Sequence, residues 1–135
     1  MPDFVDLKTS AFTCRIGTNA GLGQQHREGY NGVWSLVPSG HSDSLFVPGI
    51  AGLNLEHYFD GWHNGKREIL FEPRVAPIAL ESPGEGRVRL TQTPTPFWGV
   101  ESTTSFRVSE PDRIDLEFRC TPRRACRLTP GDWRR

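Results

Sequence analysis

Apolar and polar residues alternate with a period of two in short runs from Val33 to Cys120, the pattern of strands that bury one face. "VWSLV" predicts a strand closed by Pro38, and "SLFVPG" another closed by Pro48, because proline brings no N–H to a ladder. In "LNLEHYFD", Leu53, Leu55, His57 and Phe59 share one face and Asn54, Glu56, Tyr58 and Asp60 the other. His57 is therefore expected to point with the apolar residues. After the turn "DGWHNGK", "REILFEPR" alternates Ile69 and Phe71 against Glu68, Leu70 and Glu72, and "RVRLTQT" opposes Val88 and Leu90 to Arg87 and Arg89. The clearest pair comes last. "VESTTSFRV" aligns Val100, Ser102, Thr104, Phe106 and Val108, "RIDLEFRC" aligns Ile114, Leu116, Phe118 and Cys120, and "SEPD" joins them as a hairpin turn.

Elsewhere the pattern fades. "AFTCRIG" reads as a short strand and "GTNAGLGQQHREGYNG" as a polar, glycine-rich connection. Its Gly21-Leu22-Gly23 has no buried strand before it, no third glycine in register and no following lysine, so it lacks the context of a phosphate loop and no cofactor is expected. "TPRRACRLTPGDWRR" shows no alternation and is interrupted twice by proline. No window carries a helical apolar stripe. About seven short strands near ten-residue spacing predict an all-β, mostly antiparallel β-sandwich. Residues 1–29 are expected to be irregular with one short strand, 30–122 to form the sandwich, and 123–135 to be a basic, irregular tail.

Composition agrees with that class. The 135 residues allow one domain with a modest core, and fourteen glycines with eleven prolines favour turns over helices. The formal charge of zero conceals a basic end: from Arg119 onward there are six arginines and one acid, Asp132. Apart from Trp133 no aromatic is interleaved there, so a solvated tail is expected, not a nucleic-acid surface. No apolar run reaches about 18 residues and the N-terminus does not resemble a signal peptide, which predicts a soluble chain without a membrane partner. Cys14, Cys120 and Cys126 are too few and too scattered for a four-ligand zinc module. One disulfide would leave an odd thiol.

Three groups of residues bear chemistry. His57 and His63 straddle Asp60, but His-x-x-Asp-x-x-His matches no common metal motif, so no metal site is assigned. Glu56 with Glu72, or Glu72 with Glu101, offers a carboxylate pair of the kind that cleaves glycosides when its spacing is right; the alternative is solvated carboxylates beside Arg74, Arg87 and Arg89. Trp62 and Trp98 neighbour glycines and can serve either as platforms for a sugar ring or as core fillers, while Trp34 lies inside an apolar strand. No Gly-x-Ser-x-Gly elbow is present.

Read in order, "YNGVWSLV", "GLNLEHYFDG" and "WGVESTTSFRVSEPDRIDLEFRCTP" resemble the N-terminal half of the galactose-mutarotase-like (aldose 1-epimerase-like) β-sandwich family, from about Tyr30 to Pro122. The resemblance implies a carbohydrate ligand, with His57 as the catalytic candidate and Arg74, Trp62, Trp98, Glu56 and Glu72 as substrate-binding candidates. The family's second histidine and late glutamate would lie beyond the last hairpin, and neither occurs before Arg135. An epimerase needs both an acid and a base, so the expectation is a truncated, half-sandwich member that lacks the full catalytic set. Its uncovered strand faces would favour self-association. Three readings stay open: a carbohydrate-binding or carbohydrate-processing protein, a non-enzymatic interaction module that pairs through strand edges, and a metal-dependent enzyme built on His57 and His63.

Overall fold

A computed structural model of the chain describes residues 2–20, 30–46, 52–59 and 67–124. It is all-β and antiparallel throughout its described pairings. One sheet runs β1 (Phe4–Lys8), β2 (Phe12–Gly17), β3 (Gly32–Pro38) and β4 (Leu53–Asn54) in that order, and the other β5 (Ala79–Gly84), β6 (Arg87–Gln92), β7 (Val100–Ser109) and β8 (Arg113–Pro122). Two short helices, α1 (Arg67–Leu70) and α2 (Glu72–Val75), fall between them in the chain. No helix among the described residues is long and apolar enough to cross a membrane.

The sheets share one core. Phe12, Cys14, Ile16 and Val33 of the first sheet meet Leu80, Val88, Leu90, Phe106 and Val108 of the second. Each is an inward residue of an alternating strand, and burial of a Phe, Leu, Ile or Val side chain is worth about 1.5–3 kcal/mol. Trp34 is buried at the edge of this layer, its indole N–H donating to the Tyr30 carbonyl. It lies on Gly17, where any Cβ would come within 2.4 Å of the indole ring. Ser10 fastens the turn between β1 and β2 to the β7–β8 hairpin: its N–H and hydroxyl donate to the Glu110 carboxylate at 3.0 and 2.6 Å.

Several expectations are corrected. Before Tyr30, described residues 2–20 carry two strands where one short strand is expected, and β1 and β2 supply half of the first sheet and three core residues. Ser44 to Phe46 form no strand. The Ser44 hydroxyl accepts from Leu36 N and Phe46 N at 3.0 and 3.1 Å, so a side-chain oxygen replaces the backbone partner a ladder would need. "LNLEHYFD" is a strand only at Leu53–Asn54. There the Asn31 side chain takes the place of the next strand residue, accepting from Leu55 N at 3.1 Å and donating to Leu55 O at 2.8 Å. The expected buried phase is lost: Leu53, His57 and Phe59 are exposed. "REILFEPR" is helical, not extended. Pro73 fits a first helical turn, and Ala76 N closes that turn on Glu72 O at 2.9 Å. β5 is a strand the pattern did not reveal.

Candidate functional site

Several of the candidate residues gather where α1 and α2 meet the end of the second sheet, and there Glu72, Trp98 and Arg74 are engaged by the fold. Glu72 is buried, and its two carboxylate oxygens accept from Phe97 N at 2.6 Å and Trp98 N at 3.0 Å. A carboxylate so engaged fixes the loop before β7. Trp98 is half-buried, and its indole N–H donates to Ile69 O at 2.8 Å. Arg74 places its guanidinium over the Tyr30 ring, 3.8 Å from the centroid, in cation–π geometry. His57 is exposed and meets the Phe71 ring edge-on at 6.0 Å. Glu56 is half-buried in the segment after β4. Glu101 pairs with Arg123 at 3.0 and 3.2 Å, and that guanidinium holds its carboxyl below the ordinary carboxylate value. Glu72 and Glu101 thus serve separate partners. Trp62 and His63 lie outside the described residues. Among the described residues no group of three His, Cys, Asp or Glu side chains is placed to hold a metal.

The alternation did not single out the buried polar row beside this corner. Gln92 and Ser102 are opposed on β6 and β7, and Ser102 is opposed to Cys120 on β8, all on the inner face. Gln92 Nε2 donates to Pro73 O and Ala76 O at 3.0 and 2.9 Å, and Asn19 Nδ2 donates to Arg74 O and Ala76 O at 2.7 and 2.6 Å. These amides hold α2 against both sheets. Tyr58 covers the row; burial pushes its phenol pKa up, while the neighbouring Ser102 side chain acts the other way. Among the described residues, no group meets hydrogen-bond geometry to Tyr58 Oη, Gln92 Oε1 or Thr95 Oγ1. The one sequence signal was a glutamine two residues after Leu90 on an otherwise apolar face.

The other candidate is the opposite flank. Ile114, Leu116, Phe118 and Cys120 lie opposite Val108, Phe106, Thr104 and Ser102 and so face the core side of the sheet. β4 is only two residues long and does not cover them. Leu116 is 42% and Phe118 38% exposed, whereas Phe106, opposite Leu116, is 2% exposed. A groove of about 170 Å³ runs between the sheets here, lined by Leu53, Leu55, Phe106, Leu116 and Phe118 with Asn31 at one end. Among the described residues no strand pairs with the outer edge of β8, and an unpaired strand edge is a template for another chain. Its solvent face carries Arg113 on Asp115 at 2.8 Å and Arg119 on Glu117.

Cysteine chemistry divides along the same line. Cys14 is a free thiol in the core, where burial and, secondarily, the Asp6 charge push its pKa up to about 11. Cys120 is a free, exposed thiol on the open flank, and Cys126 lies outside the described residues.

Compared with known proteins, the chain matches no family model, no curated protein and no solved structure.

Proposed function

We propose that the chain is a non-enzymatic interaction module that takes an extended polypeptide along the free edge of β8. The observation that carries this reading is the exposure of Leu116 and Phe118 on a strand face that continues the core stripe. An added strand gains main-chain hydrogen bonds from the edge and side-chain contacts from the adjoining apolar groove, which is how strand addition obtains both affinity and selectivity. The engaged state of Glu72 supports the same reading, because the buried carboxylate nearest the candidate sugar residues already serves two backbone N–H groups.

The test is hydrogen exchange of the β8 amides against a panel of extended peptides with alternating apolar residues. Binding that slows exchange in β8 and is lost in Phe118→Asp supports strand addition. Peptides that bind but protect other segments, or a panel that does not bind at all, exclude it.

A carbohydrate-binding reading keeps one supporting observation: half-buried Trp98, Arg74 and exposed His57 all adjoin the same short helical segment. A glycan array probed with the wild type, Trp62→Ala and Trp98→Ala decides it. Sugar binding lost in either variant supports it, and no glycan bound by the wild type removes it.

A further inference from the structure

Resting on the strand-addition reading, we infer that the strand taken by β8 is β8 of a second copy, paired antiparallel about a two-fold axis at Phe118. The charges along the strand argue for this occupant and this register. In such a pair the residue at the axis faces its own copy, and residues equally displaced on either side face one another. With the inner faces on one side, an axis at Phe118 sets Glu117 against the partner's Arg119 and Arg119 against the partner's Glu117. On the inner face it sets Leu116 against the partner's Cys120 and the two Phe118 rings against each other.

Neighbouring registers fail on charge. An axis at Leu116 opposes Arg113 to the partner's Arg119 and Asp115 to the partner's Glu117. An axis at Asp115, Glu117 or Arg119 brings that charge against itself. Like charges directly opposite destabilise a ladder, and unlike charges stabilise it. An axis at Ile114 matches Arg113 with the partner's Asp115 but leaves most of β8 unpaired. An axis at Cys120 pairs only Phe118 to Pro122 and opposes no unlike charges within β8; Arg123, just past the strand, would face the partner's Glu117 in that register and the partner's Arg113 in the Phe118 register. Phe118 is thus the axis that combines opposite charges with overlap along the strand, and it covers Leu116 and Phe118, the two large apolar side chains of β8 that are exposed in the monomer. The charges are available for exchange: Glu117 and Arg119 already pair within their own strand, and both side chains are mostly exposed. Re-pairing across the axis therefore costs little.

Sedimentation velocity over a concentration series at low ionic strength tests the pairing. The wild type is expected to pass from monomer to dimer. Glu117→Arg alone and Arg119→Glu alone each place like charges across the axis twice, and each is expected to weaken self-association by about tenfold or more. An equimolar mixture of the two variants is expected to recover the dimer, since each strand then meets its opposite charge in the other chain. The mixture is the informative arm, because both chains still lack their own in-strand ion pair. Melting curves of each variant at monomer concentrations check that the fold is kept. A wild type that stays monomeric, single variants as dimeric as the wild type, or a mixture no more associated than its components overturns the proposal. If extended peptides still protect β8 in that case, the second copy is the wrong occupant and the interaction module stands; if they do not, both fall.

Discussion

β6 and β8 flank β7 on its two sides, both with alternating apolar residues aimed inward, yet one is buried and the other is not. Val88 and Leu90 of β6 are 1% and 3% exposed, while Leu116 and Phe118 of β8 are 42% and 38% exposed. The difference lies in what faces them. Phe12, Cys14, Ile16 and Val33 lie over the centre of the second sheet, whereas the strand on the β8 side of the first sheet is β4, two residues long. That shortness has a local cause, since the Asn31 amide takes the bonds of Leu55 that a third strand residue would have made. An apolar stripe thus defines a face, and only the opposing layer determines whether that face is core or surface.

The sharpest way to break this comparison is to empty the covered side. Phe106→Ala removes a ring packed between both sheets and is expected to lose ~3–5 kcal/mol of stability, measured by urea unfolding. A loss below about 1 kcal/mol would mean that the two sheets do not share the core described.

Next in size is the contrast between thiols. Cys14 has an ordinary pKa of 9.0, raised to about 11 in the fold. A group whose folded pKa is raised contributes stability that is fully present below its unfolded value and is lost as pH rises through the folded one. Stability is therefore expected to fall between about pH 9 and pH 11, by ~3 kcal/mol at most. Cys14→Ala should flatten that part of the curve. In a Cys126→Ser chain under native conditions, one thiol is expected to react promptly with a thiol reagent, Cys120, and Cys14 only on unfolding. Two fast thiols would contradict the closed side.

A third test concerns the corner that holds the end of the sheet. Glu72→Ala strips the acceptor from Phe97 N and Trp98 N and is expected to cost ~1–3 kcal/mol, with Glu72→Gln recovering part of it. If the loss instead appears only in ligand binding, with the melting temperature unchanged, the residue belongs to a site and not to the scaffold.

Fold class was legible because it depends on local alternation. The last hairpin is expected as two alternating strands joined at "SEPD", and β7 and β8 do pair antiparallel there, with Ser109 still in the ladder opposite Arg113. What escaped was set by distant or non-periodic contacts. "LNLEHYFD" alternates as well as β8 does, but Asn31 ends its ladder from 24 residues away. "REILFEPR" alternates too, yet Pro73 and the turn closed on Glu72 O make it helical. Among the candidate residues, the sequence singled out Glu72, Arg74 and Trp98 separately, as a carboxylate, a basic residue and an aromatic. It carried no sign that backbone N–H groups from residues 97 and 98 would take up the carboxylate. The exposure of Leu116 and Phe118 had no local sign at all, since it depends on the length of β4.

The smallest expected effect is the most discriminating. At concentrations where the chain is monomeric, Phe118→Ser should cost less than about 1 kcal/mol, because part of the ring is already in water and its removal leaves no closed cavity. Phe118 and Phe106 are the same residue on adjoining strands of one sheet, so the contrast between their two substitutions isolates cover from chemistry. The contrast should also depend on concentration. Where β8 pairs with a second copy, the Phe118 ring is enclosed, and Phe118→Ser lowers the apparent stability further as protein concentration rises, since association adds to the stability of the folded state. Unfolding curves at a low and a high protein concentration check both parts. Equal losses for Phe106→Ala and Phe118→Ser at low concentration would show that something already covers the flank within a single chain, and the difference between β6 and β8 would then disappear.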